Sequence, residues 1–231
     1  MTQTMRLITS PAFIPEAKAE KAGDIASLFD KQQPLSLEIG CGIGDFIVQL
    51  AARCPERNFV VTDIFNQGCL KTCSRVDEAG LTNVRVMRSE ARYLMTHLLK
   101  AESLQAIYIN CPDPWPKKRH RSRRLVNHEF LQLAFHSLQP NGEFHFSTDF
   151  VDYGIAVGNL LEAEPGFTNL QATPYSHELG DYPISKYMRR FLDLGQPIYY
   201  CHFLRRADYR LEAAPAIRRG FRSRWVGRAD S

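Results

Sequence analysis

From Leu35 onward the chain alternates short β-rich runs with stretches of helical periodicity, and that alternation limits the fold more than any other feature. LSLEI is followed by GDFIVQLAARC, NFVVTDI by NQGCLKTCSRVDEAG, and NVRVM by EARYLMTHLL. LQAIYIN, NHEFLQLAFHSL, GEFHFSTD and VDYGIAVGNLLEAE continue the series. Strands separated by helices of about ten to fifteen residues connect by crossovers rather than hairpins, which makes them parallel. The pattern predicts an α/β fold: a mostly parallel, doubly wound sheet with helices on both faces. IYYCHFLRR has no helix after it, so an added edge strand or an antiparallel strand is expected there.

With 231 residues, 44% of them apolar, the chain is large enough for one sizeable core. No repeat or low-complexity linker divides it. The expected organisation is an N-terminal appendage over 1–34 containing the helix-like PEAKAEKAGDIASLFD, a main domain over 35–205, and an arginine-rich tail over 206–231. No stretch reaches the roughly 18–20 apolar residues of a membrane span, and MTQTMRLITSPAFIPEAKAEKA lacks the apolar segment of a secretory signal. A cytoplasmic protein with no membrane partner is expected, either a monomer or a homodimer. The six cysteines form no CxxC pair, and only Cys201 has a neighbouring histidine, His202. They are expected to be structural thiols, and no metal is expected.

In LSLEIGCGIGDF a strand runs into Gly40, Gly42 and Gly44 and then a helix. Glycines allow a tight turn and close backbone approach to a ligand, and the helix start offers free amide donors. The spacing is GxGxG rather than GxGxxG, and Glu38 stands two residues before the first glycine. A carboxylate there repels a pyrophosphate but holds an ammonium, so S-adenosyl-L-methionine fits the loop better than NAD. Asp63, ending NFVVTDI, is placed to accept from ribose hydroxyls. Glu90, after NVRVM, is placed near an adenine or a neighbouring loop. Each acid alone also reads as a helix cap: Glu90 could open its helix and Asp63 cap the next turn. Ligands of open α/β sheets lie at the carboxyl ends of the strands, where Glu38, Asp63, Glu90 and Asp113 are expected to converge.

Charge is strongly segregated. Lys117, Lys118, Arg119, Arg121, Arg123 and Arg124 give the stretch 117–124 a charge of +6, residues 205–231 carry +5, and the rest of the chain is left at −7 within a total of +4. Two basic patches on an acidic body are the footprint of a polyanion partner, with a solvated basic loop and tail as the plain alternative. Trp115 either stacks on a base or wedges its loop against the core.

From the glycine loop through PDPWPKKRHRSRRLV to GQPIYYCHFLR, most of the chain resembles the bacterial tRNA (guanine-N7)-methyltransferases, which modify guanosine 46 in the variable loop of tRNA. The resemblance implies a Rossmann-like class I methyltransferase fold of about seven strands with the last antiparallel, S-adenosyl-L-methionine as cofactor and tRNA as partner. By the same resemblance Glu38, Asp63, Glu90 and Asp113 look like cofactor contacts, with the glycines beside them, and Asp113 is also the residue assigned the catalytic role. Lys117 and Asp149 look like substrate contacts. The family's late Thr-x-x-Glu segment, which holds the guanine, corresponds here to Ser185, Lys186, Tyr187 and Met188. Serine keeps the hydroxyl, but methionine cannot replace the carboxylate, so Asp149 or Asp181 is expected to compensate.

Guanine N7 carries a lone pair and no proton, so alignment and charge complementarity, rather than a general base, are expected from Asp113. Lys118, Arg119, Arg121, Arg123 and Arg124 are expected on RNA phosphates. The alternatives are a methyltransferase acting elsewhere on RNA or on protein, and a non-catalytic RNA-binding relative. An NAD-dependent oxidoreductase is disfavoured by the glycine spacing and by Glu38.

Overall fold

The computed structural model describes residues 6–215. They form two compact units, one up to Lys100 and one over Ala101–Pro215.

The first unit is built on three parallel strands, β1 (Leu35–Ile39), β2 (Asn58–Asp63) and β3 (Val84–Arg88), with β2 in the middle. Leu37 faces Val60, and Val60 faces Arg85. Every residue of β1 is buried, Ser36 and Glu38 included, so the strand is covered on both faces although its sequence alternates apolar and polar residues. The crossovers contain α2 (Asp45–Arg53) and α3 (Asn66–Glu78), and α4 (Ala91–His97) follows β3.

The N-terminal stretch packs into this unit. Val86 of β3 accepts from the Ile14 N–H at 2.9 Å and donates to the Ala12 carbonyl at 2.8 Å, so the segment covers the outer edge of β3. Helix α1 (Glu16–Ala22) follows and ends at Gly23 (φ 68°), whose N–H caps the carbonyls of Ala19 and Glu20. Ile14, Ala19 and Ile25 are buried.

The second unit contains β4 (Leu104–Asn110), α5 (His128–Ser137), β5 (Leu138–Thr148), α6 (Val151–Ala163), β6 (Phe167–Asn169), α7 (Lys186–Asp193) and β7 (Tyr199–Arg205). β4 and β5 are parallel, whereas β7 runs antiparallel to both β5 and β6. The α/β class, the seven strands and the antiparallel last strand all hold. The edge position, however, belongs to β6, not to the IYYCHFLRR strand. β6 has only three residues, too few for a period-2 pattern to show in the sequence. Helix α6 lies directly against β7 because Gly154 has no side chain: a Cβ there would sit 2.5 Å from that of Tyr199.

Among the described residues no helix is long and apolar enough to cross a membrane. Of the expected tail, residues 216–231 lie outside the described residues.

Candidate active site

In the first unit the turn after β1 is made by glycines. Gly44 has φ 78° and precedes α2, and a Cβ on it would lie 2.8 Å from the Cα of Thr72 in α3. The residue therefore provides both the left-handed turn and the close helix contact. Gly42 (φ 55°) donates its N–H to Asp63 Oδ2 at 3.0 Å, and a Cβ at Gly40 or Gly42 would meet open space.

The three acids of this unit stand along the carboxyl edge of the parallel strands. Glu38 is 2% exposed on β1. Asp63 ends β2; besides Gly42, its Oδ1 accepts from the Phe65 N–H at 2.9 Å, so two backbone amides fix the carboxylate. Glu90 caps α4 by accepting from the Tyr93 N–H at 3.1 Å, and its other oxygen lies 3.3 Å from Arg92. The helix-cap alternative thus describes part of what Glu90 does.

In the second unit β4 ends at Asn110 and the chain turns through Cys111-Pro112-Asp113-Pro114-Trp115. Cys111 (φ 46°) and Trp115 (φ 44°) are both left-handed without being glycine. Such residues cost about 1–3 kcal/mol each and persist only where their surroundings hold them. Here Cys111 donates its N–H to the Ser147 carbonyl at 2.8 Å, prolonging the β4–β5 pairing by one residue. The Pro114 carbonyl accepts from Arg124 Nε at 2.9 Å. Asp113 is presented exposed between these two anchors. Asp149, just past β5, is half-buried, and burial raises its pKa.

The basic run divides. Lys117 and Lys118 are exposed. Arg119 lies against His120, and the Arg123 guanidinium sits 4.9 Å from the Trp115 ring centroid. Trp115 is half-buried, with His120 edge-on at 5.9 Å. Arg121 pairs with Asp152 of α6 at 3.0 Å. Arg124, expected on phosphate, is instead turned inward. It is 7% exposed, bonded to Asp152 at 2.6 Å and packed over the Tyr153 ring at 4.6 Å. A guanidinium offers five donors in a rigid fork, which suits it to bridging a carbonyl and a carboxylate. Arg124, then Arg121 and Lys118, hold the Asp152 carboxyl below its usual range.

Ser185 is the N-cap of α7. Its Oγ accepts from the Met188 N–H at 3.2 Å, and Met188 Sδ lies 3.4 Å from the Ser185 N–H. This is a capping box with sulfur in place of the usual acid, a helix-start signature that the Ser-x-x-Met spacing half discloses. Lys186 and Tyr187 are exposed, while Met188 is fully buried with Ile198 and Tyr200, and Cys111 packs against that cluster. The segment 185–188 therefore adjoins the Cys111 turn.

Asn110 was not singled out by sequence. Its Oδ1 accepts from Ser147 Oγ and the Tyr182 hydroxyl, both at 2.8 Å, and its Nδ2 is buried with no partner among the described residues. The clue was its place as the last strand residue before the turn. Burial pushes Cys73, Cys111 and Cys201 up to about 12, and the Cys69 hydrogen bond followed by burial pushes up Cys41.

A glycine turn flanked by acids at parallel strand ends, with seven strands among the described residues and the last antiparallel, is the Rossmann-like class I methyltransferase fold. The solved 16S rRNA methyltransferase KamB shares this fold, with a TM-score of 0.58 over 83% of this chain and 94% of its own, at 16% identity. A methyltransferase family model, Methyltransf_4, matches residues 32–201. The tRNA (guanine-N(7)-)-methyltransferase of Syntrophotalea carbinolica is 53% identical over 97% of this chain and 98% of its own length. That of Geobacter metallireducens is 46% identical over 89% and 98%. The chain belongs to the tRNA (guanine-N(7)-)-methyltransferase family.

Proposed function

We propose that this protein transfers a methyl group from S-adenosyl-L-methionine to N7 of guanosine 46 in the variable loop of tRNA, in the cytoplasm. The observation that carries this reading is the Cys111–Trp115 turn, which holds Asp113 out into solvent beside Lys117 and Lys118. The cofactor fits the residues present. Open space lies over Gly40 and Gly42, Asp63 is oriented by two amides, and Glu38 is an acid rather than the neutral residue a pyrophosphate would need. In this reading Glu38, Asp63 and Glu90 hold the cofactor's amino-acid group, ribose and adenine. When bound, S-adenosyl-L-methionine supplies a sulfonium-activated methyl group.

The protein's own task is alignment, since guanine N7 needs no deprotonation. Asp113 positions the purine and stabilises the positive charge that it gains. Asp149 takes the guanine-facing role that the family gives to the acid at position 188. Ser185, Lys186 and Tyr187 line the approach, and Asn110 Nδ2 offers a donor to the base. Lys117, Lys118 and Arg119 neutralise phosphates.

Incubation with labelled methyl donor and unmodified tRNA, followed by nucleotide mapping, tests the assignment. 7-Methylguanosine at position 46 is expected. Label at another nucleotide overturns the position, and absence of label overturns the activity. Asp113→Asn should lower the single-turnover rate by roughly 10²–10³-fold, comparable to losing one preorganised electrostatic group. A loss under tenfold would remove Asp113 from the mechanism.

A further inference from the structure

One face of the second unit carries a row of rings. Tyr108 on β4, His145 on β5 and His202 on β7 stand at matched register. Their planes are nearly parallel, at 13° and 20°, with successive centroids 4.6 Å and 4.1 Å apart. Glu143 precedes His145 by two residues and so shares its face of the strand. One carboxylate oxygen, Glu143 Oε2, meets both imidazoles, with Nε2 of His145 at 3.0 Å and Nε2 of His202 at 2.8 Å. Cys201, on the opposite face of β7, points its sulfur at the Gly154 carbonyl of α6 and takes no part.

Two imidazole nitrogens and a carboxylate oxygen, all within 4.8 Å of one another, form a donor set for a transition metal. Bonds of about 2.0–2.2 Å in tetrahedral array place ligand atoms about 3.3–3.6 Å apart. The two nitrogen–oxygen spacings, 3.0 Å and 2.8 Å, need to open by about 0.3–0.8 Å. The nitrogen-rich set favours zinc-class ions over magnesium or calcium, which take oxygen ligands. Stacking between Tyr108 and His202 fixes the His145 ring, and paired strands fix the backbone. The two imidazoles are thereby held in place by packing before any ion arrives. Burial is graded, from 8% side-chain exposure at His145 through 18% at His202 to 36% at Glu143, which leaves an approach for the ion and for a water as fourth ligand.

We propose that Glu143, His145 and His202 form a binding site for one zinc-class divalent metal ion. Its residues are not those of the Cys111–Trp115 turn, which meets β5 at Ser147: His145 lies two residues and Glu143 four residues, about 13 Å of extended strand, before that point. An ion here would add a coordinate link between β5 and β7 to the ladder hydrogen bonds and ring stacking that already join them. Spacing arguments in the sequence overlooked the set because His202 comes from a strand distant along the chain.

The test uses the full-length protein, treated with chelator and titrated with Co(II) and then Zn(II). One equivalent of Co(II) should bind with visible d–d bands and without a thiolate charge-transfer band, and Zn(II) should displace it. Glu143→Gln and His202→Gln, each confirmed as folded by circular dichroism, should weaken Zn(II) binding by more than the roughly 10–100-fold that losing an outer-shell partner costs. The proposal is overturned by absence of stoichiometric binding, by unchanged affinity in both variants, or by a thiolate band that assigns the ion to cysteines.

Discussion

After β1 the chain turns through Gly40, Gly42 and Gly44, at φ 81°, 55° and 78°; after β4 it turns through Cys111 and Trp115, at 46° and 44°. The two turns visit the same left-handed region by different means. The first is written into local sequence, since glycine enters that region without a steric penalty. The second is imposed from outside by the Cys111–Ser147 hydrogen bond, the Arg124 contact with Pro114 and the Arg123 guanidinium on Trp115. A turn of the first kind fails when its own residues change. One of the second kind also fails when a distant residue changes.

The largest effect is expected from Gly44→Ala, which adds left-handed strain to a backbone contact with Thr72. The two together should cost about 2–5 kcal/mol, read as a lower denaturant midpoint with unchanged m. A cost under about 1 kcal/mol would mean that the glycine turn is not locally determined. Arg124→Met should cost about 1–3 kcal/mol and slow methyl transfer at saturating substrate by roughly 10–100-fold, with little change in S-adenosylhomocysteine affinity. Arg124→Lys, which keeps the charge but not the fork, should fall in between. If Arg124→Met leaves the rate intact, the Cys111–Trp115 turn does not depend on its clamp.

Smaller effects separate outward from inward charges. Lys118→Ala should leave thermal stability alone and lower the slope of log affinity for tRNA against log salt by about 0.7–0.9. For Asp149 the sign follows from burial, which raises its pKa in the folded chain. Ionised Asp149 therefore opposes folding at neutral pH, and the penalty fades as pH falls and protonates it. Asp149→Asn should raise Tm at pH 7 by at most about 2–4 °C, with the gain shrinking in acid. A gain that grows on acidification would contradict a raised pKa.

The strand–helix alternation, the glycine turn and the acids at strand ends were all legible, because each rests on local periodicity or on a residue's own conformational range. LSLEI could be read as a strand, but its alternation of apolar and polar residues did not disclose that Ser36 and Glu38 are buried as fully as the residues between them. Three features were not legible. β6 is too short to show a pattern. Ser185–Met188 hides its capping box because sulfur replaces the acid. Arg124 looks like its five cationic neighbours, and nothing in KKRHRSRR says which of them turns inward.

By itself, then, the sequence determined the α/β class, the glycine turn and the chemical character of both basic and acidic residues, for these follow from backbone preference and side-chain type. Tertiary structure alone decided how the basic run divides, what holds Cys111 and Trp115 in strained conformations, and that Glu143, His145 and His202 meet. Those outcomes depend on strands and helices far apart in the chain being packed side by side, and a one-dimensional pattern carries no record of which side chain a neighbouring element will bury.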